Sequence, residues 1–136
     1  MRMKTFATSL ILAVSVAAGS VSAKTPLREV REIDDNMLWV ALAIEISDKC
    51  GQISPRMIKG YAFLASLKLK AQNMGYTSDE IEAYVESKAE KQRMRQRGES
   101  YVKARGFDPK KKEDLCRLGR QEIDKGSRIG ALLKAK

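Results

Sequence analysis

The longest apolar run in the body of the chain is MLWVALAIEI at residues 37–46, in which Glu45 is the only polar side chain. A helix that is apolar on every side is typical of a buried position in a core. Asp34-Asp35-Asn36, immediately before the run, has the side chains that cap helix N-termini. We therefore expect Met37 to Lys49 to form the central helix, preceded by a short helical segment at residues 27–33.

Apolar residues next recur at three- and four-residue steps, which predicts a second helix with one face on the core. The stripe consists of Met57, Ile58, Tyr61, Leu64, Ala65 and Leu69. Ser54-Pro55 lies just before it, and a hydroxyl N-cap followed by a proline in the first turn favours a helix start at that point. Gly75 is expected to end this helix.

The clearest helix start is a capping box at residues 77–80, with Tyr76 and Ile81 in the positions of a hydrophobic staple. The helical pattern runs from there to Gly98 and continues to Gly106, which gives a length of about 42 Å at 1.5 Å per residue. The face of this helix that carries Ile81 has basic and polar residues in the middle of the helix, so we expect that part to pack poorly against a core. We expect this third helix either to extend past the body of the protein or to bend near Gly98.

The remaining pattern predicts a turn at residues 107–109, a fourth helix over Glu113 to Lys125, and a last amphipathic turn with Ile129, Leu132 and Leu133. No segment alternates apolar and polar residues over five or more positions, and no hairpin signal such as Asn-Gly or Asp-Gly occurs. The expected fold class is all-α, a small bundle of four to five helices.

Residues 1–23 have the pattern of a cleavable export signal. Arg2 and Lys4 are followed by an apolar run at 10–18 and by Val21-Ser22-Ala23, which has small residues where signal peptidase requires them. Cleavage there leaves residues 24–136 as a single helical domain, periplasmic or secreted. The apolar run is shorter than the roughly 20 residues of a bilayer span, and no later segment is long and apolar enough for one. An uncleaved leader that serves as an anchor is the alternative.

Export changes the interpretation of the two cysteines, Cys50 and Cys116. In an oxidising compartment two cysteines usually pair, and two allow only one intramolecular bond. We therefore expect a Cys50–Cys116 disulfide, which the chain-entropy model values at about 4 kcal/mol for a loop of this length. Free thiols or an intermolecular bond are the alternatives. The absence of C-x-x-C gives a redox catalyst no support.

The composition argues against most enzyme classes. The chain has no histidine, which removes the commonest general base and the commonest zinc ligand, and we expect neither metal nor cofactor. Glu45 is the best single carboxylate candidate, because it lies in an apolar helix. A surface pair with Lys49, one turn later, explains it more simply. A carboxylate-dependent hydrolase needs a second acid across a cleft, and the sequence indicates none for Glu45.

Positive charge is the other candidate feature. The net charge is +9, and +7 for residues 24–136, which favours an anionic envelope component or an acidic protein as partner. Lys88, Lys91 and Arg95 project on one side of the third helix and are the candidate anion- or partner-binding residues. A solvated helix with intrahelical ion pairs is the alternative. Nucleic acid is not expected, because aromatic side chains do not interleave with the charge and the chain is exported.

Several segments are similar to a family of small exported bacterial proteins known only as a domain of unknown function. They are LREVREIDD, the single cysteine after the first strong helix, EIEAYVESKAEKQRMRQRGESYVKARG, LCRLGRQEI and GSRIGALLK. The resemblance covers nearly all of residues 24–136 and implies a bacterial envelope protein, with no activity attached. The leading hypothesis is a non-enzymatic envelope binding or interaction protein. A carboxylate-dependent hydrolase of envelope polymer and a structural or stress protein without a ligand are the alternatives; the sequence does not indicate an oligomeric state.

Overall fold

Five α-helices and one two-stranded ribbon form the part of the chain that the computed structural model describes, residues 23–136. The helices are α1 (Arg31–Lys49), α2 (Met57–Asn73), α3 (Ser78–Glu86), α4 (Lys88–Ala104) and α5 (Lys112–Lys125). The strands are β1 (Ile53–Pro55) and β2 (Leu133–Ala135), and short 3₁₀ helices lie at Leu27–Glu29 and Gly130–Leu132. The predicted helical fold class is therefore confirmed. Apart from Ala23, the predicted leader lies outside the described residues.

Helix α1 is central, as predicted, but its predicted start at Met37 is wrong. It begins at Arg31 after Val30, which makes no side-chain cap. The acids that resemble caps in the sequence lie inside the first turns of α1 and form ion pairs with α4 instead. The expectation of burial on every side also fails, because Ile44 is 52% exposed and Glu45 is exposed.

The main core surrounds the C-terminal end of α1. A disulfide joins Cys50 to Cys116 on α5, with the two Cα atoms 5.2 Å apart, as the sequence predicts. Ile46 is fully buried beside it. A Cβ added at Gly119 would lie 2.5 Å from Ile53 Cδ1, so the glycine allows α5 to approach α1 and β1 this closely.

The ribbon corrects the predicted start of the second helix. Ser54 and Pro55 do not begin that helix; they lie in β1, which pairs antiparallel with β2 so that Pro55 is opposite Leu133. Helix α2 begins only at Met57. The strand partner comes from the far end of the chain, which is why local pattern favoured a helix cap.

The predicted stripe of α2 points away from the core. Ile58 is 89% exposed and Tyr61 is 67% exposed, and most of the other stripe residues are exposed too. Helix α2 contacts the core through buried Leu67 and Ala71 and through half-buried Phe63 and Leu64, so Leu64 is the stripe residue that does pack on the core. The helix has two apolar sides, and the sequence pattern favoured the side that faces solvent.

The predicted third helix is two helices. The break falls at Ser87, whose Oγ accepts a hydrogen bond from the Glu90 N–H at 3.2 Å and so caps α4. The predicted bend near Gly98 is absent, since this residue lies inside α4, buried against Leu42 of α1. The capping box at residues 77–80 is confirmed, with both reciprocal hydrogen bonds present.

The predicted fourth helix is confirmed as α5, which starts one residue earlier than expected and ends at a left-handed Gly126. Within residues 23–136, no helix has the length and apolar character that a membrane crossing requires.

Candidate binding groove between α1 and α4

An ionic cluster fixes α4 against the N-terminal half of α1. Asp34 of α1 is only 4% exposed and accepts hydrogen bonds from the guanidinium groups of Arg93 and Arg97. Arg97 also donates to Asp35 Oδ1 at 2.7 Å, and the Tyr84 hydroxyl donates to Asp34 Oδ1 at 2.6 Å. Every polar atom of the buried carboxylate thus has a partner, as a buried charge requires.

The cluster shifts the pKa values of its members. Burial raises the pKa of Asp34, but the hydrogen bonds from Arg93 and Tyr84 and the two guanidinium charges outweigh burial and hold the pKa below its ordinary value of 3.8. Burial and the hydrogen bond to Asp34 raise the pKa of Tyr84. The hydrogen bond to Asp34 raises the pKa of Arg93. All of these groups therefore keep their charge states across the neutral range.

A groove of about 770 Å³ lies beside this contact, between α1 and α4, and α3 and the residues before and within α5 also contribute to its wall. Most of its floor is apolar. The apolar lining includes Met37, Val40, Ala41, Ile44, Val85 and Met94. Ile44 and Val85 are substantially exposed although both are large apolar side chains. Gly98 of α4 lines the groove as well.

The rim of the groove carries unpaired cations. They are Lys49, Lys91, Arg95, Lys110 and Lys112. Within residues 23–136, none of these five has a carboxylate within 4.0 Å. Arg93 and Arg97, on the same helix, form ion pairs with acids. Of the four arginine and lysine residues in the middle of α4, two are therefore paired with acids, and Lys91 and Arg95 are not.

Three carboxylates also line the groove: Glu45, Glu90 and Glu99. Glu90 is held by Arg93 at 2.7 Å and by Arg28 at 3.1 Å, so its charge is already neutralised. Neither Glu45 nor Glu99 has a salt-bridge partner among the described residues. The rim therefore keeps a net positive charge.

Residues 25–134 match a family described as "Family of unknown function (DUF5333)". The chain belongs to this family. The match confirms the resemblance seen in the sequence and supplies no activity. No curated protein and no solved structure matches the chain.

The groove of this DUF5333 protein contains two of the three basic residues singled out in the sequence. Lys91 and Arg95 line it, whereas Lys88 is exposed at the start of α4 and does not. Glu45 lines the same groove, and no salt bridge joins it to Lys49 in the described part of the chain. Two candidate features that were separate in the sequence therefore share one site.

Sequence reasoning missed the apolar half of the site. Ile44 lies in the apolar run 37–46, which predicts burial, and Val85 follows Ile81 by four residues, which places it on the same apolar face. The Ser87-x-x-Glu90 pattern was a usable signal, since it is a capping-box pattern that predicts a new helix at the edge of the groove.

A smaller cavity of about 320 Å³ lies between α1, the end of α4 and α5, and its polar side chains bond to one another. The Tyr101 hydroxyl donates to buried Glu122 at 2.9 Å, and the Arg105 guanidinium lies 3.4 Å from the centre of the Tyr101 ring. Burial and the bond to Glu122 raise the pKa of Tyr101 to about 12. These contacts connect the end of α4 to α5 in this DUF5333 protein.

No group of three or more His, Cys, Asp or Glu side chains in the described chain is placed to hold a metal ion. The groove offers lysine and arginine instead, which bind anions.

Proposed function

We propose that this protein is an exported, non-enzymatic binding protein whose α1–α4 groove holds a ligand with an apolar body and an anionic end. The observation that carries the proposal is the combination of an apolar floor with free cations at the rim, Lys91, Arg95 and Lys110. An acyl chain that ends in a phosphate or carboxylate has this chemistry.

The energetics favour an amphipathic ligand over a purely ionic one. Covering apolar surface stabilises a complex by about 25 cal/mol per Å². Ile44 and Val85 expose such surface in the free protein. Charge-assisted hydrogen bonds from an arginine and a lysine then orient the anionic end. The groove volume also falls in the range of sites for small organic ligands.

Two further features support the exported location. The match to the DUF5333 family begins at residue 25, two positions after the predicted cleavage site. The disulfide between Cys50 and Cys116 is of a kind that persists in oxidising compartments.

The test compares dodecyl phosphate, dodecanol and inorganic phosphate by titration calorimetry, with each amphiphile kept below its aggregation concentration. We expect dodecyl phosphate to bind about tenfold or more tighter than either partial ligand, because only it uses both floor and rim. The Lys91→Glu/Arg95→Glu double variant should lose at least about tenfold in affinity.

Lys88→Glu is the control, since it reverses one positive charge on the same helix outside the groove. Ala41 of α1 is half-buried and lines the groove. The larger side chain of Ala41→Phe should occupy the groove and abolish binding of dodecyl phosphate. Equal weakening by Lys88→Glu, or unchanged binding in Ala41→Phe, would contradict the proposal.

A hydrolase acting on envelope polymer is the second candidate, and the observation that favours it is the presence of Glu45 and Glu99 in one groove. Binding remains the preferred function because Glu45 is exposed and no described residue hydrogen-bonds to its carboxylate, whereas catalytic groups are held in place by their neighbours. Release of soluble fragments from purified peptidoglycan, lost in Glu45→Gln and in Glu99→Gln but kept in Glu82→Gln, would assign catalysis instead.

A further inference from the structure

Helix α2 presents an apolar face to solvent on the side opposite its core contact. This outer face is formed by Ile58, Tyr61, Ala62, Ala65 and Leu69. Their spacing places them on one side of a helix. Leu69 is 58% exposed, and the other four residues are exposed too. The face extends over about 16 Å at 1.5 Å per residue.

Basic residues border this face, and acids are absent from the helix. Met57–Asn73 contains three lysines and no aspartate or glutamate. At 100° per residue, Lys68 lies on one flank of the outer face, and Lys59 and Lys70 lie on the other. Lys70 contacts Glu32 at 3.5 Å, whereas Lys59 and Lys68 have no salt-bridge partner in residues 23–136.

More positive charge lies next to the start of α2. Lys134 on β2 is exposed opposite Ser54 of β1, and the Lys136 N–H donates to the Gln52 carbonyl at 3.0 Å. The ribbon therefore carries the basic tail to the same end of the molecule at which α2 begins.

We propose that the outer face of α2 docks the protein on the surface of a bilayer that contains anionic phospholipid, with the helix lying in the plane of the interface. Interfacial helices combine a polar, lysine-rich flank with an apolar side that enters the boundary between headgroups and acyl chains. Tyr61 suits that boundary because its ring is apolar and its hydroxyl is polar.

Charge complementarity selects this occupant over a second copy of the chain. A two-fold pairing of outer faces would bring the flanking lysines of both copies together, and α2 has no carboxylate to offset their repulsion. An anionic bilayer supplies a phosphate to every lysine at once. No α2 residue lines the α1–α4 groove, so this contact does not depend on the function proposed for the groove.

The test is co-sedimentation with vesicles of pure phosphatidylcholine and of phosphatidylcholine with 30% phosphatidylglycerol, using the protein in the form that an expressing bacterium accumulates. We expect binding only to the anionic vesicles. Lys59→Gln/Lys68→Gln should weaken it by about fivefold per lysine. Ile58→Ser/Leu69→Ser should weaken it about tenfold or more, because it removes the two largest exposed aliphatic side chains of the face.

Lys88→Gln/Lys103→Gln is the matched charge control, since it removes two exposed lysines of α4 and leaves α2 unchanged. Circular dichroism checks that each variant folds, which is expected because every substituted side chain is exposed. Equal sedimentation with neutral and anionic vesicles would overturn the proposal, as would full binding by Ile58→Ser/Leu69→Ser. A dimer in sedimentation equilibrium that disappears in Ile58→Ser/Leu69→Ser would assign the face to a second copy and also overturn it.

Discussion

The two ends of α1 are fixed to the rest of the molecule by different forces. At the N-terminal end, Asp34 and Asp35 form ion pairs with Arg93 and Arg97 of α4. At the C-terminal end, Ile46 packs on α5 in an apolar core, and Cys50 at the helix terminus is covalently bonded to α5. Helix α1 thus has one contact that depends on charge, at its N-terminal end, and one contact that does not, at its C-terminal end.

The difference shows how the groove can exist. Apolar packing excludes water and brings helices as close as their side chains allow. The ionic cluster instead holds α4 through the long side chains of Arg93 and Arg97, which reach the acids of α1. Apolar contact between the two helices lies further along α4, where Gly98 meets Leu42. The groove lies beside the ionic contact and keeps apolar side chains such as Ile44 in contact with solvent.

Breaking the covalent end should have the largest effect. Cys50→Ser/Cys116→Ser removes the constraint on a loop whose ends are 66 residues apart, and the chain-entropy model gives a loss of about 4 kcal/mol in the free energy of unfolding. Urea denaturation followed by circular dichroism measures it. Reducing the wild-type protein should give a similar loss, and a difference below about 1 kcal/mol in both experiments would contradict the assigned role.

Breaking the ionic end should have the next largest effect. Asp34→Asn leaves two guanidinium groups without their main counter-charge, and we expect a loss of about 2–3 kcal/mol. This is below the value for fully buried pairs because Arg93 and Arg97 are 23% and 32% exposed. Glu113→Gln, which alters an exposed acid outside the ionic cluster, is the control and should be near neutral. Equal effects of the two substitutions would show that the cluster does not stabilise the fold.

The pH dependence of stability is a second readout of the Asp34→Asn experiment. The pKa of Asp34 is lowered on folding, so the unfolded chain binds its proton first as the pH falls. The stabilisation is complete above the ordinary value of 3.8 and is lost as the pH falls below it through the lowered pKa. The wild-type curve should therefore fall more steeply below pH 4 than the Asp34→Asn curve, and parallel curves would contradict this assignment.

The smallest expected effect is at Gly98 of α4, which contacts Leu42 between the two ends of α1. A Cβ there would be 3.5 Å from Leu42 Cδ2, which is ordinary van der Waals contact. Gly98→Ala should therefore stabilise the protein by about 0.5–1 kcal/mol, because glycine is costly inside a helix. Thermal unfolding measures the gain. Gly119→Ala is the contrasting control, since its Cβ would meet Ile46 and Ile53 at about 2.5 Å and should destabilise the protein.

Part of the fold could be predicted because its signals are local. The capping box at residues 77–80 depends on four neighbouring residues, and the disulfide follows from the cysteine count and the predicted compartment. The start of α1 could not be predicted in the same way. Asp34 has the side chain of a helix cap, but Arg93, 59 residues later, binds it. Local rules do not include such a partner.

The candidate site shows the same limit. Lys91 and Arg95 are four residues apart on α4, and so are Arg93 and Arg97. The spacing is identical, so sequence alone does not reveal which pair faces the acids of α1 and which remains free for a ligand. The sequence predicts the apolar stripe of α2, but it does not show which of the two apolar sides of this helix meets the core. In the structure, the side with buried Leu67 does.

The disulfide also sets an order of events during synthesis. Cys116 follows Cys50 by 66 residues, so α2, α3 and α4 all lie within the covalent ring. The ring closes only after these three helices have been made. A chain that stalls before residue 116 carries one thiol with no intramolecular partner, and oxidation can then join it only to another molecule.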